Sequence, residues 1–541
     1  MKKLVLLLLV LALVAIPTTA ALAQDEPVEG GTMRWGMVTS PRGMFNPILA
    51  EETYCNLING IVYDGLVAID RDLEPVPQLA ESYEFSEDEK SVTFYLHEGI
   101  KFHDGEELTA HDVAFTYEII CHPDYTGVRY PDFQDILGAQ EFKDGEADEV
   151  EGIEVIDDYT IRFTTEEVYA PLITNFTYGI LPKHLLEDIP VAELETAEFN
   201  QNPIGAGPFK FSEFRPDQHV VVERFDDYYL EGPYLDYINF QIISDEARPV
   251  HLRQGRIDYV TISSEQYPMV EQLDFVDVYE YEALGYDYFC FNLRQERFQD
   301  ERVRQAMWYG YDQQTVVDVI YDGLAIPAYA PMPTASWAYA GDELNDYAYN
   351  PDRAIELFEE AGWERGADGI WEKDDMRMEF EFLFSDATRQ IEQNMLLFQQ
   401  NMEDIGVDVD LRPMEFAAAV DRIDAREFDM FALGWNLGVD PDPSTIWHST
   451  SVWNDAGWVN ERSDELIEAG RRTTDFEERQ EIYAEWQQIV NQEVPNIFNT
   501  YDIALAAANE RIRGLDREDP TSQGIIYALL YNQIWIPADQ Q

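Results

Sequence analysis

Between Phe428 and His448 the chain reads FDMFALGWNLGVDPDPSTIWH, which brings Trp435, Asn436, Asp440 and Asp442 close together. An indole offers a broad apolar face and one donor, the chemistry of a pocket wall, although packing between a strand and a helix uses the same properties. Asn436 adds a donor and an acceptor beside it. The two aspartates can meet a cationic group, or each can shape its Asp-Pro turn and cap a helix starting at Ser444. Arg389 supplies a guanidinium fork suited to a carboxylate, or an ordinary surface ion pair. Phe45 and Asn46, in the turn-rich stretch Ser40-Pro41-Arg42-Gly43-Met44-Phe45-Asn46-Pro47, are candidates from elsewhere in the chain. Together these seven residues suggest binding chemistry. No Gly-x-Ser-x-Gly elbow and no His-Glu-x-x-His helix is present to suggest catalysis.

The elements that must hold these residues can be read from periodicity. Met378, Phe380, Phe382 and Phe384 alternate with Glu379 and Glu381 as a strand. Ile391, Met395, Phe398, Met402 and Ile405 then mark a helix that stops at Gly406. Val407, Val409 and Leu411 give a second strand, Phe416 to Ile423 a weaker helix, and Met430 to Leu433 a short buried strand. Three strands joined by helical crossovers lie parallel, and ligands gather at the carboxyl ends of such strands. Those ends are Ser385 to Arg389, Arg412 to Glu415, and Gly434 to Asp442, so the expectation is one mouth forming half of a solute-holding cleft.

Elsewhere, Thr32 to Val38 and Ser91 to Leu96 read as strands, and Thr109 with Asp112 as a capping box. His103 and His111 beside Asp104 and Asp112 have the types of metal ligands, but the turn and the cap account for all four, and neither a metal nor a cofactor is expected. Asp300, Asp312, Asn350-Pro351 and Asp475 each open a further helix.

Asp and Glu number 106 against 36 Lys and Arg, a net charge of −70, with only eight lysines. A surface this negative repels phosphate backbones, so no nucleic-acid partner is expected. Aromatic residues at 13% exclude a disordered chain. Lys2-Lys3, the apolar run Leu4 to Ile16 and Ala21-Leu22-Ala23 form a secretory signal cleaved after about Ala23, too short to span a bilayer. The mature chain is therefore expected to be exported and soluble. Cys55, Cys121 and Cys290 allow any one disulfide with one thiol left over, and no pairing is assigned.

With these segments in place, the chain resembles the family-five extracellular solute-binding proteins, the dipeptide-, oligopeptide- and nickel-binding components of ATP-driven importers. The resemblance rests on LAESYEFSEDEKSVTFYLHEGIKFHDGEELTAHDVAFTYE (79–118), GAGPFKFSEFRPDQHVVVERFDDYY (205–229), Phe291-Asn292 with Val303 to Ala306, the Asn350 to Gly362 helix, and Gly434-Trp435. It implies an α/β fold of the periplasmic-binding-protein-like class II: two α/β lobes around a hinge, with an inserted α/β domain in the first. Mapped here, residues 29–60, 198–264 and 501–541 would form lobe I, 61–197 the inserted domain and 265–500 lobe II. It also implies a monomer that closes over a small molecule or peptide and delivers it to the transmembrane subunits of an ABC permease. In peptide-binding relatives an aspartate three residues after the Gly-Trp tryptophan pairs with the peptide amino group. Gly438 stands there instead, with Asp440 and Asp442 nearby but out of register.

The expectation is thus a non-enzymatic, periplasmic or extracellular solute receptor, most simply for peptides, with an oligosaccharide or a metal complex as alternative cargo. A secreted glycan hydrolase with paired carboxylates is the rival from another class.

Overall fold

The computed structural model describes residues 27–70, 73–385, 388–515 and 533–541. The signal segment and part of the stretch assigned to lobe I near the C-terminus lie outside them.

The expected strand–helix alternation of the second lobe is present. Glu379–Ser385 leads into the helix Arg389–Asp404, whose N-cap is Thr388 and which ends where Gly406 takes a φ of +85°. Asp408–Met414, the helix Phe416–Asp424 and the strand Met430–Asn436 follow. Glu379–Ser385 is flanked by the other two strands, and both run parallel to it. Its pairing with Met430–Asn436 is confined to Phe382↔Met430 and Leu383↔Phe431, so the end of the latter strand, from Ala432 on, lies beyond that pairing. The apolar faces meet as an aromatic core in which Phe289, Phe382 and Phe398 stand edge to face.

In the first lobe, Thr32–Met37 runs parallel to Tyr237–Ile242 and to Tyr259–Ile262. An antiparallel sheet of Ala80–Phe85, Ser91–Leu96, Thr160–Thr164 and Ile153–Asp157 forms the inserted region. Its side chains and those of the first lobe share one continuous apolar core, while residues 286–501 build a separate core. The insertion is therefore packed into the first lobe and has no isolated core of its own.

One long strand, Asn496–Asn509, belongs to both lobes. Its first half pairs with Gly285–Phe291 of the second lobe, its second half with Val276–Glu282 and Tyr259–Ile262. The turn between Val276–Glu282 and Gly285–Phe291 lies alongside the same point, where the Ala283 amide donates to the Asp502 carbonyl at 2.9 Å. Two strand crossings side by side form the hinge.

The helix starts foreseen at Asp300, Asp312, Asn350 and Asp475 all carry side-chain caps. Asp112 accepts from the Thr109 amide at 2.9 Å, completing the capping box. Cys55, Cys121 and Cys290 are all buried free thiols. Among the described residues no helix is long and apolar enough to cross a membrane.

Candidate functional site

The mouth of the second lobe forms where its parallel strands end. Ser385 closes one strand, Gly434, Trp435 and Asn436 close another, and the loop through Asp442 follows. Arg389 is exposed at this rim as the first residue of its helix. Asn436 is exposed opposite Gly285.

Trp435 is half-buried and meets Trp453 edge to face, ring centroids 5.7 Å apart. It is paired across the strands with Tyr286, whereas its neighbour Gly434 is paired with Asp287. Successive strand residues point to opposite faces, so the indole and the Asp287 carboxylate lie on opposite sides of the sheet.

On the Asp287 side is a cavity of about 200 Å³, lined among others by Asp287, Tyr321, Ser385, Asn394, Gly434 and Asn499. The Tyr311 hydroxyl lies 2.5 Å from Asn394 Oδ1 and 2.6 Å from Asn499 Oδ1, and its single proton can be donated to one of the two. Asp287 is held by one long hydrogen bond, from Thr500 Oγ1 at 3.5 Å. Burial first, and then the negative charge of Asp502, pushes Asp287 up to about 8. Asp502 sits on the shared strand at the hinge and is itself raised by the surrounding protein. Two carboxylates of raised pKa at the hinge, one opening into a cavity, favour a cationic guest, because a positive charge there relieves both their desolvation and their mutual repulsion.

Asp440 and Asp442 have other work. Arg479, 2% exposed, grips Asp440 with two parallel bonds, Nη1 to Oδ2 at 3.0 Å and Nη2 to Oδ1 at 2.9 Å, and donates Nε to the Gly470 carbonyl. Asp442 accepts from the Ser444 amide at 2.9 Å and pairs with Arg471 at 3.1 Å. Both are candidates for ligand contact and both line a small pocket with Leu284 and Gly438, but their carboxylates are already engaged by arginines from the following helices, since a partly buried carboxylate left unpaired is costly. Phe45 and Asn46 depart from expectation as well. Phe45 is enclosed by Phe211 and Phe214, and Asn46 bonds Asn200 at 3.1 Å, so both are interior residues of the first lobe.

His103, weighed for a metal, is engaged on both ring nitrogens: the Gly205 amide donates to Nδ1 at 3.2 Å, and Nε2 lies 2.9 Å from the Gly207 carbonyl. Burial lowers it to about 4, so the ring is neutral.

The gap between the lobes is bridged away from the hinge. The Ala170 amide of the inserted region donates to the Arg471 carbonyl of the second lobe at 2.8 Å, and the Arg471 guanidinium lies 5.2 Å from the Tyr169 ring centroid. Neither this contact nor the Asp287–Asp502 pair was foreseen. Asp287 had a signal, a lone charge inside the apolar run Tyr286 to Phe291.

Comparison with known proteins fits this geometry. The oligopeptide-binding protein AppA of Bacillus subtilis is 29% identical over 508 residues, covering 92% of this chain and 91% of that protein. Its solved structure, in complex with a nonapeptide, superposes with a TM-score of 0.71 at 28% identity, covering 95% of this chain and all of that one. The ABC transporter substrate binding protein CtaP of Listeria monocytogenes superposes with a TM-score of 0.81 at 27% identity, covering 94% and 99%. The family model for bacterial extracellular solute-binding proteins, family 5 (middle region), matches residues 74–457, most of the length. With two lobes hinged on shared strands and a solute-sized cavity at the strand ends, the chain belongs to the family 5 bacterial extracellular solute-binding proteins.

Proposed function

We propose that this protein is the exported substrate-binding component of an ABC importer, which captures a peptide between its lobes and passes it unaltered to a permease. The observation that carries the reading is the buried Asp287 carboxylate at the hinge, held by one long bond from Thr500 and opening into the cavity at the strand ends. A peptide's amino terminus supplies the positive charge this carboxylate wants, and a side chain fits the cavity. This answers the glycine at position 438, since the ammonium is met from the hinge strands and not from the loop after Trp435. Arg389 at the rim is the proposed partner for a peptide carboxylate.

The relatives support the cargo: the Bacillus protein is an oligopeptide-binding protein and is solved with a nonapeptide. In this reading residues 1–23 are a signal peptide, and residues 29–60, 198–264 and 501–541 move as one lobe with the insertion 61–197. The rest of residues 265–500, apart from the strand Val276–Glu282 that pairs on the first-lobe side of the hinge, forms the other, the protein acts as a monomer, and ligand selects the closed state.

The test is native mass spectrometry of the purified protein followed by calorimetry with peptides of two to nine residues. Recovery of intact peptide, saturable binding, and its weakening in Asp287→Asn support the reading. Failure to bind any peptide, or conversion of the bound compound, overturns it.

A further inference from the structure

A second cavity, of about 270 Å³, shares no lining residue with the one at Asp287 and lies where the helix Thr53–Val62 of the first lobe meets the inserted region. At about 30 Å³ per water in the liquid it has room for roughly nine waters, or for a molecule of about as many heavy atoms. Its lining includes Asn59, Gly60, Asp64, Gln78 and Arg129.

Among the described residues these polar groups are incompletely satisfied. Asn59, 4% exposed, has neither its amide nitrogen nor its amide oxygen in a hydrogen bond. Asp64, 2% exposed, receives the Tyr228 and Tyr229 hydroxyls on Oδ2, at 2.8 and 3.0 Å, while Oδ1 has no hydrogen bond and the Gln78 side chain stands beside the carboxylate. Arg129 donates Nη2 to the Ala50 carbonyl at 2.9 Å and stacks on Tyr178, yet its buried Nε is unpartnered. Buried polar groups are nearly always paired, so four open positions around one cavity define what should fill it.

The open positions are two acceptors, Asp64 Oδ1 and Asn59 Oδ1, and two donors, Arg129 Nε and Asn59 Nδ2. A simple cation would satisfy Asp64 and leave the donors open. A simple anion would satisfy Arg129 and face the Asp64 carboxylate. A neutral amide can hydrogen-bond at any of the four positions but brings no charge to Asp64 or Arg129. A guest with separated charges of both signs answers every position and meets each charged side chain with its opposite. Burial raises Asp64 to about 7, so an ammonium group there has a carboxylate to ionise. Gly60 keeps the space open, since a Cβ at that position would meet nothing within 4 Å.

We propose that this cavity is a second binding site, for one small zwitterion of the amino-acid class, its ammonium on Asp64 and its carboxylate toward Arg129. It is independent of the hinge carboxylates, so it stands or falls apart from the peptide reading, which fails on peptide titrations alone.

The test uses the full chain and free L-alanine, with methylammonium, acetate and acetamide as partial mimics. Calorimetry should show one saturable alanine site, at least about tenfold tighter than any mimic. Asp64→Asn and Gly60→Leu should each weaken it by about tenfold or more. Gly60→Leu also replaces a helix-interior glycine by a better helix former, which guards against loss of folding. A crystal of the wild-type protein grown with alanine should show it bound to Asp64 and Asn59. Saturable binding that neither substitution changes places alanine elsewhere and overturns the proposal. So does the absence of binding up to about 10 mM together with a cavity holding only ordered waters.

Discussion

Gly434 and Asp287 stand opposite each other on paired antiparallel strands, and a Cβ added to Gly434 would lie 2.5 Å from Asp287 Oδ1. The glycine of the Gly-Trp pair therefore leaves room for an acid on the neighbouring strand.

Gly434→Ala should displace that carboxylate. Overpacking of this kind costs about 1–3 kcal/mol. Peptide affinity should fall by about tenfold and the melting temperature should drop. A substituted protein that binds and melts like the parent would show that the acid tolerates movement.

Asp287 gives the ligand-free protein a pH dependence of definite sign. Its folded pKa, about 8, is raised above that of the unfolded chain, about 3.9, so the native state binds more protons between those values. This group's contribution to stability is therefore complete below about pH 4 and lost as pH rises toward 8. The slope is at most about 1.4 kcal/mol per pH unit. Asp287→Asn should flatten urea-unfolding stability across that range. If a peptide ammonium ionises Asp287 on binding, calorimetry in buffers of different ionisation heat should also register proton release near neutral pH.

The Asp440–Arg479 pair should behave as structure. Asp440→Ala strands a guanidinium that is 2% exposed, and breaking one side of a buried pair costs about 3–5 kcal/mol. Chemical denaturation should show that loss, and peptide affinity measured on the folded fraction should change little. Loss of binding with stability intact would return Asp440 to the ligand site.

Tyr169→Ala removes the ring beside Arg471 but leaves the Ala170 amide bond. Contacts of this type are worth about 0.5–1 kcal/mol where exposed. The closed population of ligand-free protein should fall a few-fold, and apparent peptide affinity with it. Small-angle scattering should report a larger radius of gyration without ligand and the parental radius with it.

Much of this could be read from residue order because it is local. The alternation of Phe380, Phe382 and Phe384, the stripe ending at Gly406, and the caps at Asn350 and Asp475 each depend on neighbours within a turn or a strand. The site was harder because its parts are distant. Asp287 acquires its character from burial first and from Asp502 second, and Asp502 comes from the long shared strand more than two hundred residues later. Asp440 looked available because Arg479, its partner, reads as one more polar residue of the helix Phe476–Glu493. Phe45 and Asn46 looked like surface loop because turn residues surround them, yet Phe211, Phe214 and Asn200 close over them from later in the chain.

The strand Asn496–Asn509 follows in sequence every strand it joins. A nascent polypeptide emerging at roughly 5–20 residues per second must therefore wait for it before either half can complete its sheet. Long-range pairing of this kind is slow to form. Until that last strand arrives, the edges it will cover stay exposed on both sides of the future hinge, so any helper that guards the unfinished chain has two open seams to shield and one event that seals them.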